Sequence, residues 1–106
     1  MNYIHKKNIA HRDLKVDNIV VAFSKPIDFT NIEIKLIDFG FAKQYVSGGV
    51  DEFIGTPYYI APEIIKNQKH DTKVDIWSLG VLTYYLISGK LPFQSDDRNE
   101  LFQMIT

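Results

Sequence analysis

The sequence predicts an α+β fold, mainly α, on three observations. Two β-branched runs, Ile19-Val20-Val21 and the alternating Ile32-Glu33-Ile34-Lys35-Leu36-Ile37, suit short strands. The polar, proline-containing stretch from Ser24 to Asn31 would join them into a small antiparallel hairpin. Apolar residues from Ile76 to Ile87 follow Thr72-Lys73-Val74-Asp75 and stop at Gly89, the pattern of a helix with a capping box and a glycine stop. Between strands and helix, residues 41–59 hold no sustained period and contain Ser47-Gly48-Gly49 and Gly55-Thr56-Pro57, which predicts a long loop, a kind that is usually functional or disordered.

The remaining elements follow in order. Tyr3-Ile4 with His5-Lys6-Lys7-Asn8 reads as the last turn of a helix, bases near its C-terminus, so the chain is expected to begin inside an element. Pro62 suits the first turn of a short helix over Pro62 to Lys66. The long helix carries apolar residues all round its axis and is expected to be buried. It is too short, and too polar at its flanks, to span a bilayer. Asn99 to Thr106 opens a further amphipathic helix.

Composition bounds the function. With 106 residues the chain is one domain or part of one. Twelve basic against 13 acidic residues, net charge −1, give no general electrostatic reason to bind nucleic acid or an anionic membrane. The absence of cysteine excludes a disulfide scaffold, a thiolate zinc site and a cysteine nucleophile, and is compatible with a reducing cytosol. Residues 1–7 contain no apolar stretch of the secretory type.

Three short motifs occur in order: His11-Arg12-Asp13-Leu14-Lys15-Val16-Asp17-Asn18, then Asp38-Phe39-Gly40, then Ala61-Pro62-Glu63. Singly, Asp13 reads as the end of a turn, Asp38-Phe39-Gly40 as a post-strand turn and Ala61-Pro62-Glu63 as a helix start. Together they match His-Arg-Asp-Leu-x-x-x-x-Asn, Asp-Phe-Gly and Ala-Pro-Glu, and the chain resembles the large lobe of eukaryotic protein kinases along essentially its whole length. Lys15 and Gly55-Thr56-Pro57-Tyr58-Tyr59-Ile60 resemble the serine/threonine branch. Asp38-Phe39-Gly40-Phe41-Ala42-Lys43 and Gly89-Lys90-Leu91-Pro92-Phe93 look most like its calcium/calmodulin-regulated and cyclic-nucleotide-regulated groups.

The resemblance implies ATP-dependent phosphoryl transfer to a protein serine or threonine, a reaction dominated by positioning and electrostatics. Asp13 would accept or orient the acceptor hydroxyl proton, and Lys15 would meet the γ-phosphate as a compact point charge. Asn18 and Asp38 offer hard oxygen ligands that suit Mg²⁺ together with ATP phosphates and waters, but form no metal cage alone. Thr56 would align the acceptor near Asp13 and Lys15. Asp17 implies a mild preference for basic substrates, whereas Tyr85 departs from the second acidic position of the strongest arginine selectors, and Val16 stands where proline is usual. His11 and Phe39 would stack in the core, with Val20, Leu82 and Leu86 as core positions beneath the adenine site. Asp75 would accept hydrogen bonds from the catalytic-loop backbone; spacing alone fits a capping-box role equally, and both can coexist.

Glu52, three residues before Gly55, stands where many relatives carry an activating phosphothreonine. Arg12 and Lys43 match the basic pocket that receives that phosphate, so Glu52 either fills the pocket permanently or is an ordinary solvated acid beside Asp51. Ser47 is an alternative phosphorylation site or a flexible tip. His5 and His70 are expected at the surface. No Gly-x-Gly-x-x-Gly occurs, so residues 1–106 are expected to be a partial kinase domain without its small lobe and C-terminal helices, inactive without the rest of the kinase chain. Glu63 would then lack the arginine that usually pairs with it, and the long helix would expose apolar faces. A cytoplasmic location, a protein substrate, and neither nucleic acid nor membrane as partners complete the expectation. The alternative from another class is a kinase-derived binding or scaffold module without turnover.

Overall fold

The computed structural model describes residues 1–23, 30–46 and 48–106. Element order is α1 (Asn2–His5), β1 (Ile9–Ala10), β2 (Ile19–Phe23), β3 (Ile32–Leu36), β4 (Lys43–Gln44), α2 (Pro62–Ile65), α3 (Val74–Ser88) and α4 (Arg98–Ile105), with 3₁₀ turns at Val16–Asn18 and Pro57–Tyr59. Among the described residues the strands form two antiparallel pairs. The expected hairpin is β2–β3, in register from Ile19 opposite Leu36 to Phe23 opposite Ile32. Most of the stretch expected to join these strands lies outside the described residues, as does Ser47.

The second pair, β1–β4, was not legible in sequence: Ile9 faces Gln44 and Ala10 faces Lys43. Two-residue strands carry no measurable period, so the segment read as one long loop contains a strand, a Val50–His70 bridge and a 3₁₀ turn. These pairings draw residues 43–46 and 48–50 onto a core made of Ala10, Tyr45, Ile60, Ala61, Ile64 and Val74, with Val50, Ile65 and Trp77 packed against it. Burial of the Ile60, Ile64 and Val74 side chains there contributes about 1.5–3 kcal/mol each relative to exposure.

Helix α3 ends as expected. Gly89 takes a left-handed φ of 72°, and its N–H bonds the Tyr85 carbonyl at 2.8 Å. Its start does not use the expected capping box. Lys73 is the N-cap without a side-chain cap bond, Asp71 Oδ1 accepts the Lys73 N–H at 2.8 Å, and the Asp75 carboxylate is turned toward the loop after β1. Nor is α3 buried all round: Val74, Asp75, Ser78, Val81 and Leu82 are buried, whereas Leu86 and Ile87 are 68% and 83% exposed. Residues 59–64 and the loop after β1 cover one side of the helix only. Trp77 stacks on Phe93, centroids 6.1 Å apart, in an open groove of about 580 Å³ with Glu63 at its rim. Among the described residues Glu63 forms no salt bridge, and no helix is long and apolar enough to cross a membrane.

Candidate active site

The loop after β1 is fixed from below by one carboxylate. Asp75, fully buried on α3, accepts the His11 N–H on Oδ2 and the Arg12 N–H on Oδ1, each at 2.8 Å. His5 Nε2 lies 2.8 Å from the same Oδ2. His5 is therefore not the surface residue expected, and neither is His70, which is 4% exposed and packs edge-on against Tyr45. Both histidines follow the chain into contacts that local sequence does not signal. His11 completes the frame: Nε2 bonds the Ile37 carbonyl at 3.0 Å, Nδ1 accepts the Asp13 N–H at 3.3 Å, and the ring meets Phe39 edge-on at 4.8 Å. A carbonyl only accepts, so the Nε2–H tautomer satisfies both bonds.

Arg12 and Asp38 sit at left-handed φ values of 66° and 59°. Non-glycine residues pay of order 1–3 kcal/mol for such backbone and hold it only where surrounding contacts over-determine it. For Arg12 those contacts are its N–H to Asp75, Nε to the Phe41 carbonyl at 2.7 Å, and Nη1 to Glu52 Oε2 at 2.6 Å. For Asp38, Oδ1 accepts the Gly40 N–H at 3.1 Å.

Four of the candidate residues converge on one network. Thr56 Oγ1 donates to Asp13 Oδ1 at 2.5 Å and accepts from Lys15 Nζ at 2.9 Å. Lys15 Nζ is 3.2 Å from Asp13 Oδ2, and Asn18 Nδ2 donates to the Asp13 carbonyl at 2.8 Å and to Oδ2 at 3.2 Å. Asp13 and Asn18 are both 6% exposed. A carboxylate with its lone pairs so directed is oriented by charge-assisted bonds and can hold a hydroxyl at a defined angle. Thr56 reaches it because Gly55, φ 112°, brings its segment against the loop: a Cβ there would stand 3.0 Å from the Arg12 carbonyl oxygen.

Asp38 is reached through the backbone. The Ile37 N–H bonds the Asn18 carbonyl at 2.9 Å, continuing the β2–β3 pairing, so Asp38 emerges one residue beyond Asn18's partner and is exposed. Asn18 commits its amide nitrogen to Asp13, so a metal ion here would meet its amide oxygen. Oxygen donors of this kind fit Mg²⁺, but among the described residues no cluster of three or more His, Cys, Asp or Glu holds a metal by itself. ATP phosphates and waters would have to complete the shell. Asp17 joins none of these bonds; it is exposed on the 3₁₀ turn, near enough to Tyr59 to add to the upward pKa shift that burial gives that phenol.

A second network lies beside the first. Glu52 is bonded by Arg12 through Oε2 and by Lys43 through Oε1. The bond from Lys43 and then that from Arg12 lower the Glu52 pKa from 4.5 to about 2. Arg12 is buried and Glu52 half-exposed, so the carboxylate closes over a cation already committed to the loop.

The pattern of the protein kinase domain matches residues 1–106. The chain is 41% identical over 107 residues to a putative protein kinase C delta type homolog of Drosophila melanogaster and 41% identical to protein kinase C delta type of Mus musculus. It is 42% identical over 106 residues to the cGMP-dependent protein kinase egl-4 of Caenorhabditis briggsae. Each match covers 99% of this chain, which spans 15%, 15% and 13% of those relatives' lengths. With a domain match along its whole length and relatives of this identity, the chain belongs to the protein kinase family, in its eukaryotic serine/threonine branch.

Proposed function

We propose that these residues are the catalytic part of a kinase large lobe, from catalytic loop through activation segment to the helices beyond, within a longer chain that phosphorylates serine or threonine of protein substrates. The carrying observation is the Asp13–Thr56–Lys15–Asn18 network, in which one buried carboxylate is flanked by a hydroxyl, an ammonium and an amide. Mg²⁺-bound ATP supplies the activated phosphoryl group. Asp13 orients the acceptor hydroxyl and takes its proton; Lys15 offsets charge at the phosphate oxygens; Asn18 and Asp38 hold the metal; Thr56 fixes Asp13 and Lys15 relative to each other. Asp17 lends the acceptor-binding surface a mild preference for basic sequences. Absent cysteines suit a cytoplasmic location, and the charge balance favours neither nucleic acid nor membrane. The remainder of the nucleotide site comes from the rest of the chain.

The test is transfer of γ-labelled phosphate from ATP to serine- or threonine-containing peptides with an upstream arginine, in the presence of Mg²⁺, by the full-length protein. Label on peptide hydroxyls supports the reading, and none under any metal or peptide condition overturns it.

Glu52 acts in this reading as a built-in activating charge, tying residues 50–56 to the loop through Arg12 and Lys43. Its pKa is depressed, so its contribution is whole above the ordinary value of 4.5 and disappears as pH falls through about 2. Turnover above pH 5 therefore shows no step belonging to Glu52. Glu52→Gln should lower turnover several-fold at pH 7 without any activating kinase, and unchanged turnover would remove the role.

A further inference from the structure

Arg98 is the first residue of α4, the end at which a helix dipole disfavours a cation. Nor is it paired with an acid among the described residues. Two neighbouring acids are engaged elsewhere: Asp97 Oδ1 caps α4 by accepting the Glu100 N–H at 2.8 Å, and Glu100 Oε2 accepts from Ser95 Oγ. The guanidinium instead lies 5.3 Å from the Phe53 ring centroid and 5.1 Å from that of Phe102, and the two rings are 5.8 Å apart. Arg98 and Phe102 are one turn apart on α4, so both present to the same ring. Phe53 belongs to the segment that bears Glu52 and Thr56. That segment is thus held at three points: Glu52 by Arg12 and Lys43, Thr56 by Asp13 and Lys15, and Phe53 by α4.

We propose that Arg98 is a positioning residue whose cation–aromatic stack with Phe53 and Phe102 fastens residues 52–56 to α4 and so sets how the acceptor is presented to Asp13. The stack suits this work because a guanidinium face accepts aromatic rings on a partly exposed surface where an ion pair would be screened. Its absence loosens the middle of the segment while leaving the residues assigned to nucleotide and metal untouched.

The effect on turnover rests on the kinase reading above; the effect on segment order does not. In the full-length protein, Arg98→Ala should raise hydrogen exchange at the backbone amides of residues 52–56. It should also raise KM for an acceptor peptide roughly three- to tenfold, the size of one or two partly exposed cation–ring contacts, with KM for ATP within about twofold. Arg98→Leu, which keeps apolar contact without charge, should behave like Arg98→Ala, and Arg98→Lys should recover part of the loss. Phe53→Leu should reproduce Arg98→Ala and add little to it in the double variant. Unchanged exchange at residues 52–56 in Arg98→Ala, or wild-type behaviour of Arg98→Leu, overturns the proposal. Should wild type transfer no phosphate, the kinase reading fails while exchange still decides the coupling. Should Arg98→Ala fail to fold, Arg98→Lys and Phe53→Leu carry the same comparison.

Discussion

Asp13→Asn in the full-length protein should lower phosphoryl transfer by about 10²–10⁴-fold, the range lost when a positioned base is removed, with a lowered unfolding midpoint but a retained fold. Asparagine fills the same volume and keeps one oxygen to accept the Thr56 hydroxyl. Its amide nitrogen then faces Lys15 and Asn18, donors that now meet a donor. The site loses both its proton acceptor and the charge that centres its network. Steady-state rates with saturating ATP and peptide, beside thermal unfolding, measure both effects. A variant within about tenfold of wild type would show that another group takes the proton.

The second large effect concerns Asp75, which touches no reacting atom. Asp75→Ala should both destabilise the protein and abolish activity. Two buried N–H groups, of His11 and Arg12, lose their acceptor, and His5 loses its partner. Each unpaired buried donor costs about 1–3 kcal/mol, against a total stability of about 5–15 kcal/mol for a typical domain. Arg12 is also held at a φ of 66°, which it keeps only under constraint. Released, the loop carrying Asp13 and Asn18 is free to relax to ordinary backbone. Asp75→Asn separates the two consequences: one oxygen still accepts, while the new amide opposes the His11 N–H. It should fold with a lowered midpoint yet lose most activity. A stable, fully active Asp75→Asn would show that packing under the loop, rather than the charge, holds it.

Sequence made the skeleton legible wherever a signal was local. The β2–β3 hairpin shows in two β-branched runs, the end of α3 in Gly89, the start of α2 in Pro62. The candidate site was readable from motif order, and Asp13, Lys15, Asn18 and Thr56 meet in space although Thr56 is 43 residues from Asp13. What escaped were contacts with no local signature. The β1–β4 pairing is two residues long, His5 reaches Asp75 across 70 positions, and the exposure of α3 depends on which neighbours cover it.

Residue type and order alone therefore determined which groups the chain carries: a carboxylate, an ammonium, an amide and a further acid in motif order, because those groups are covalent facts of the sequence. Tertiary structure decided how they are held. The choice of Asp75 between capping its own helix and bonding the loop, the seating of Glu52 between Arg12 and Lys43, and the stacking of Arg98 against Phe53 each depend on distances between segments remote along the chain. Such distances are set by the summed burial and hydrogen bonding of the whole fold, which no local window of residues contains.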